Sequence, residues 1–244
     1  MKILEVKGLV KNFGGLRAVD SLDLAVEEGQ ILSLIGPNGA GKSTVFNCIA
    51  GVYAPSAGEI HFRGAKINNR KPWDLCKKGL ARTFQIVKPF ASKTVLYNVM
   101  VGSFANTDRA AEAEGKAMEV LELLHLEDKK DTRAGNLTIA DRKRLEIARA
   151  LATRPGLLLL DEVMAGLRPT EVDEMVEVIR NLRESGITIF VIEHIMRAIM
   201  ALSDRIVVIH FGSKIAEGTP AEVSSDPNVI KAYLGEEYVV SGSQ

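Results

Sequence analysis

The feature that most narrows what this chain can become is the run Gly36-Pro37-Asn38-Gly39-Ala40-Gly41-Lys42-Ser43-Thr44. It has the form G-x-x-x-x-G-K-[ST]. The apolar residues 30–35 before it read as a buried strand, and residues 42–50 after it read as a helix. Strand, glycine-rich turn and helix in that register form the context in which this pattern cradles phosphate. The glycines let the backbone curl so that several N–H groups converge on phosphate oxygens. The helix N-terminus adds the positive end of its dipole. In such a loop Lys42 reaches the β- and γ-phosphates of a nucleotide, and the Ser43 hydroxyl ligates Mg²⁺. A chance glycine-rich turn would not bring the flanking strand and helix with it.

The rest of the chain supplies the sheet that such a loop needs. Residues 157–160, 187–192 and 205–210 read as short buried strands. Between the first two, Val172, Met175, Val176, Ile179 and Leu182 recur at helical spacing. This alternation predicts an α/β fold with a mostly parallel sheet. The first thirty residues and residues 58–63 read as an antiparallel β flank. Residues 88–152 read as a helical subdomain inserted into the α/β core, with Ala113, Ala117, Val120, Leu121 and Leu124 forming one apolar stripe. We expect a single P-loop NTPase domain over residues 1–244, ending in a frayed polar tail at 239–244.

Composition excludes several classes. Formal net charge is zero, so nothing draws the chain globally towards nucleic acid, and no nucleic-acid partner is expected. Cys48 and Cys76 match no zinc spacing and read as reduced packing residues. The N-terminus lacks the apolar core of a signal peptide. No apolar run approaches the roughly 18 to 20 residues that span a bilayer. The expectation is a cytoplasmic chain that meets a membrane only through a partner.

A second pair of residues completes the phosphate chemistry. Leu157-Leu158-Leu159-Leu160-Asp161-Glu162 delivers two carboxylates to the C-terminal end of a strand, where open parallel sheets bind ligands. Asp161 suits coordination of Mg²⁺ through water. Glu162, one residue on, points differently and suits polarising the attacking water.

With these motifs in place the chain resembles the ATP-binding cassette family along nearly its whole length, and within it the subunits that power branched-chain amino-acid importers. The resemblance implies ATP and Mg²⁺ as cofactors. It implies that Phe13, in Lys11-Asn12-Phe13-Gly14-Gly15, stacks on adenine; a core Phe at a strand end is the competing reading. It implies that Gln85, after Ala81-Arg82-Thr83-Phe84, senses Mg²⁺ and the γ-phosphate and links them to the membrane subunits. His194, in Val191-Ile192-Glu193-His194, corresponds to the switch histidine that contacts the γ-phosphate. Val87, Pro89 and Phe90 either line the groove that takes the membrane subunits or are ordinary packing.

The family's signature, Leu-Ser-Gly-Gly-Gln, is replaced here by Leu137-Thr138-Ile139-Ala140-Asp141 ahead of a well-matched helix. In the family this segment covers the γ-phosphate of ATP held by a second ATPase subunit. Ile139 and Ala140 limit backbone approach, and an anionic Asp141 near phosphate costs energy. The spacing Thr138-x-x-Asp141 predicts a capping box in which Asp141 folds back onto the helix start, leaving Thr138 and backbone N–H groups to face the nucleotide. Val163 follows Glu162 where Pro is frequent, and Arg168 stands where Asp or Asn is usual between subunits. These departures fit pairing with a second, different ATPase subunit, although a homodimer stays open. The partners implied are membrane permease subunits, that second ATPase subunit and, indirectly, a periplasmic substrate-binding protein. The chain would then sit on the inner face of the cell membrane. A lipid or lipopolysaccharide exporter cassette and a non-transport cassette ATPase stand as alternatives.

Overall fold

The computed structural model describes residues 1–83 and 89–233. They form two compact units, Met1–Pro72 with Thr188–Gln244, and Trp73–Ile187. The first opens with strands β1 (Lys2–Phe13) and β2 (Leu16–Glu27), an antiparallel pair turning at Gly14, whose φ of 56° suits a residue without a Cβ. Strand β3 (Ile31–Ile35) leads through the glycine-rich run into helix α1 (Lys42–Ile49). Strands β4 (Ala57–Phe62) and β5 (Ala65–Lys66) return to the hairpin and give the antiparallel order β2-β1-β4-β5. In β2, Val19, Leu22, Leu24 and Val26 are buried while intervening residues are more exposed, the signature of a sheet covered on one face.

The second unit runs α2 (Pro72–Lys77), β6 (Leu80–Arg82), α3 (Val95–Ser103), α4 (Ala110–Leu123), α5 (Ile139–Leu151), β7 (Leu157–Asp161) and α6 (Pro169–Glu184). Strands β6 and β7 pair in parallel, Leu80 opposite Leu157. The chain then returns to the first unit as β8 (Thr188–Ile192), α7 (Met196–Leu202), β9 (Arg205–His210), β10 (Ser213–Gly218) and α8 (Pro220–Ser225). There β3 lies between β8 and β9, parallel to both, and β10 joins β9 antiparallel. Every residue of β3, β7 and β8 is buried. That is why they read as continuous apolar runs: a parallel strand has both faces covered.

Local sequence sets the helix ends. The Thr94 hydroxyl accepts from the Tyr97 N–H to start α3. Thr219 and Glu222 cap α8 reciprocally, with Pro220 in the first turn. Arg168 precedes α6: the Glu171 carboxylate accepts from its backbone N–H at 2.8 Å and from its guanidinium at 2.9 Å, and the Arg168 side chain is otherwise in solvent.

Several expectations need adjusting. Strand β6 ends at Arg82, ahead of Gln85; Phe84, Gln85 and Val87 lie outside the described residues, as does the tail at 239–244. In the stripe on α4, Ala113, Ala117, Leu121 and Leu124 are fully buried, but Val120 is only half-buried, because it sits at the stripe's margin. Cys48 is buried, and that burial pushes its thiol up to about 11, which keeps it protonated and unreactive. Cys76 is half-buried. Among the described residues no helix is long and apolar enough to cross a membrane.

One buried polar side chain organises the approach to α3. Asn98 is fully buried, yet its amide oxygen accepts from the Phe90 N–H at 2.8 Å, and its amide nitrogen donates to the carbonyls of Phe90 at 3.2 Å and Thr94 at 2.8 Å. Asn98→Ala leaves three backbone groups without that partner. It is expected to destabilise the protein by about 2 to 3 kcal/mol, read by urea unfolding.

Candidate functional site

In the first unit the glycine-rich run is a loop clamped by two neighbouring backbones. Gly36 has φ 152°, and a Cβ there would stand 2.1 Å from the Ile209 carbonyl oxygen of β9. Gly41 has φ 103°, and a Cβ would stand 2.4 Å from the Ala18 carbonyl oxygen of β2. Both positions require glycine on steric grounds. Gly39, at φ 77°, has open space around it and needs glycine for its backbone angle alone. The Ala40 carbonyl accepts from the Gly212 N–H at 3.0 Å, and the Ala40 N–H donates to the Pro37 carbonyl at 3.2 Å. Asn38 and Gly39 are exposed, while Gly36, Pro37 and Ala40 are buried.

Lys42 is buried, and its ammonium donates to the carbonyls of Gly36 at 2.6 Å and Pro37 at 2.8 Å. The cation is thus held at the mouth of the loop. Ser43 is exposed and Thr44 half-buried in the first turn of α1, a turn with no acidic residue of its own. The positive end of that helix has no side-chain cap. Phe13 is 42% exposed and meets Tyr53 edge-on, with ring centroids 5.2 Å apart. It is therefore not a core residue. The Lys11 ammonium lies 4.9 Å from the Phe13 ring centre and donates to the Ala54 carbonyl. His194, two residues after the end of β8, is exposed.

In the second unit β7 ends in the carboxylate pair. Asp161 is buried; its Oδ2 accepts from the Arg82 guanidinium at 2.8 Å, while Oδ1 is buried with no hydrogen-bond partner. A carboxylate with one oxygen tied down and the other unsatisfied suits a water carried by a hard cation. A group of this kind fits Mg²⁺, which takes few protein oxygens and keeps waters and phosphate oxygens for the rest. Thr83 braces the strand end by accepting from the Asp161 N–H at 3.0 Å.

Glu162 breaks the strand. Its φ is 51°, a left-handed conformation that costs a non-glycine residue about 1 to 3 kcal/mol and turns the side chain away from the direction of Asp161. The buried Lys143 of α5 donates to the Glu162 carbonyl at 3.0 Å and helps hold that turn.

The altered signature folds differently from expectation. Thr138 does cap α5, accepting from the Asp141 N–H at 3.1 Å. The reciprocal half of the capping box is replaced. The Asp141 Oδ2 accepts from the Thr138 hydroxyl at 2.8 Å and from the Lys129 ammonium at 2.6 Å. Aspartate is one methylene shorter than the usual Glu, so it meets the nearer hydroxyl. The Thr138 hydroxyl that was expected to face a nucleotide is thereby occupied by Asp141.

The structure thus gathers the loop residues with Lys42 and Ser43 in one unit, and Asp161, Glu162 and the Thr138–Asp141 turn in the other. Gln85 lies outside the described residues. Reading the motifs alone missed Arg82, Thr83, Lys129, Lys143 and Tyr53. No motif marks Lys129, Lys143 or Tyr53; Arg82 and Thr83 stand just ahead of Gln85, but their partners on β7 follow only from the pairing of β6 with β7.

Comparison with known proteins bears on this arrangement. The family model described as ABC transporter matches residues 19–165, and that described as Branched-chain amino acid ATP-binding cassette transporter matches residues 213–239. The high-affinity branched-chain amino acid transport ATP-binding protein BraF of Pseudomonas aeruginosa is 44% identical over 96% of this chain and 98% of its own. LivG of Escherichia coli K12, which carries the same description, is 42% identical over the same shares. A solved nucleotide-free ATP-binding cassette from an ABC transporter superposes with a TM-score of 0.88 at 33% identity, covering 96% of this chain and 99% of the other. The chain belongs to the ATP-binding cassettes of ABC transporters, ATPases whose hydrolysis is coupled to transport. Within that class it is an ATP-binding protein of the branched-chain amino acid transporter family.

The Arg82–Asp161 pair is almost wholly buried, with side chains 10% and 3% exposed. Arg82→Ala leaves a buried carboxylate without its cation. It is expected to cost about 3 to 5 kcal/mol in metal-free buffer, measured by chemical unfolding.

Proposed function

We propose that this chain binds Mg²⁺-ATP and hydrolyses it to drive import of branched-chain or closely related amino acids. The observation that carries the reading is the clamped loop 36–44, with Lys42 held at its mouth and the bare helix end behind it. In this reading the loop N–H groups and Lys42 hold the β- and γ-phosphates, and Phe13 stacks on adenine. Ser43, Asp161 and Gln85 would hold Mg²⁺, which offsets phosphate charge when bound. Glu162 orients and deprotonates the attacking water, and His194 contacts the γ-phosphate.

The partners follow from the relatives' roles. BraF and LivG are high-affinity branched-chain amino acid transport ATP-binding proteins, a role that implies permease subunits as partners. We propose that such permeases hold this chain on the cytoplasmic face, beside a second ATPase subunit, with a periplasmic binding protein delivering substrate. A contact surface for them is supported by Phe90, which is 46% exposed and meets the exposed Tyr97 edge-on, with Arg149 over its ring. The match at residues 213–239 supports the amino-acid branch over lipid export or a non-transport role.

Two substitutions test the core of the reading. Lys42→Ala should abolish tight ATP binding in calorimetric titration, because it removes the cation at the phosphates. Binding as tight as wild type would refute the phosphate assignment. Glu162→Gln should bind ATP normally and lower steady-state turnover by about 10² or more, the scale of a lost proton acceptor. Unchanged hydrolysis would remove Glu162 from that role.

A further inference from the structure

Asp141 poses an electrostatic problem that the turn around it solves. A carboxylate stands in the first turn of α5, in the segment that in the cassette family covers the γ-phosphate of ATP held by a second ATPase subunit. Left alone, it would repel that anion and cancel the positive helix end that attracts it. Two donors converge on its single oxygen Oδ2, Thr138 Oγ1 at 2.8 Å and Lys129 Nζ at 2.6 Å. The carboxylate is buried, whereas Lys129 is 43% exposed on its side chain. Lys129 is itself held in place. It closes a short 3-10 turn (Glu127–Lys129) whose preceding residue, Leu126, is fully buried. Its N–H donates to the Leu126 carbonyl at 3.0 Å, and its carbonyl accepts from the Thr132 N–H at 2.9 Å.

We propose that Lys129 is a positioning residue of the ATPase reaction. It neutralises Asp141 and fixes its rotamer, so that the segment Thr138–Asp141 presents a helix end of net positive character to the γ-phosphate across the subunit interface. Lys129 and Asp141 together then substitute for the two glycines and the glutamine absent from this signature. The inference rests on the proposed function, because it needs ATP held by a facing subunit.

The test uses the intact transporter purified through a tag on this chain, with ATPase rate measured against Mg²⁺-ATP concentration. Lys129→Ala uncovers the carboxylate and should raise KM for ATP about tenfold, the order of one unit charge acting within a nanometre through a protein-like dielectric, with kcat changed less than KM. Lys129→Arg should bring KM back towards wild type. The double variant Lys129→Ala with Asp141→Asn removes both charges and should restore KM to within about threefold of wild type, although it cannot rebuild the ion pair. A merely structural pair would behave differently: the double variant would stay as impaired as Lys129→Ala, and that result overturns the proposal. An unchanged KM in Lys129→Ala also overturns it. If Lys129→Ala does not fold, Asp141→Asn alone decides, because it leaves Lys129 uncompensated and should lower KM; a raised or unchanged KM refutes the inference. Lys42→Ala in the same complex separates the two levels. If it leaves hydrolysis intact, the proposed function fails; if it abolishes hydrolysis while the Lys129 series shows no charge dependence, only the present inference fails.

Discussion

The close approach of backbones around the phosphate loop is the constraint on which the first unit depends. At Gly36 and Gly41 the carbonyl oxygens of Ile209 and Ala18 occupy the space a side chain would need. The loop is therefore wedged between a strand of the antiparallel flank and one of the parallel layer. The same place receives further backbone bonds: Gly212 donates to Ala40, and its carbonyl accepts from Asp20. These contacts tie β2, the loop and the β9–β10 turn into one knot. A knot of main-chain contacts does not depend on side-chain rotamers, so it can hold N–H groups in fixed directions before a ligand arrives, which lowers the ordering cost of binding.

In the second unit the ordering principle is an oxygen acceptor held in place by a basic side chain. Asp161, Asp141 and the Glu162 carbonyl each sit against a basic side chain: Arg82, Lys129 and Lys143. Buried groups of this kind are costly unless paired. The basic residues therefore fix the geometry of the acidic ones, and they do so from elements that carry no recognised motif. Arg82 comes from the strand beside β7, Lys143 from the helix that follows the altered signature, and Lys129 from a turn well before it.

Much of this was legible in the sequence for identifiable reasons. The strands β3, β7, β8 and β9 announce themselves because parallel strands buried on both faces are uniformly apolar. The phosphate loop is legible because few residues besides glycine tolerate its angles and contacts. Val120 was over-read because periodicity reports the centre of a helix face better than its edge. The Thr138–Asp141 turn was half-legible: the spacing indicated a cap, but the carboxylate's partners depend on Lys129, twelve residues away in a segment with no periodic signal. Likewise no local pattern tells that Lys143 will find the Glu162 carbonyl, since that bond exists only once α5 and β7 have packed.

The bond from Lys143 to Glu162 has a mechanical meaning. It acts as a strut from the first turns of α5 to the hinge at which the chain leaves β7. In the reading proposed above, the signature end of this subunit would serve the ATP of a neighbour, and Glu162 the ATP bound to the subunit itself. On that reading a strut between them would make the two stations one lever arm: a push on α5 from the neighbour's nucleotide would be felt at the backbone carrying the proposed water-orienting carboxylate. Such a linkage would let the two ATP sites of a pair keep time with each other without any direct contact between their nucleotides.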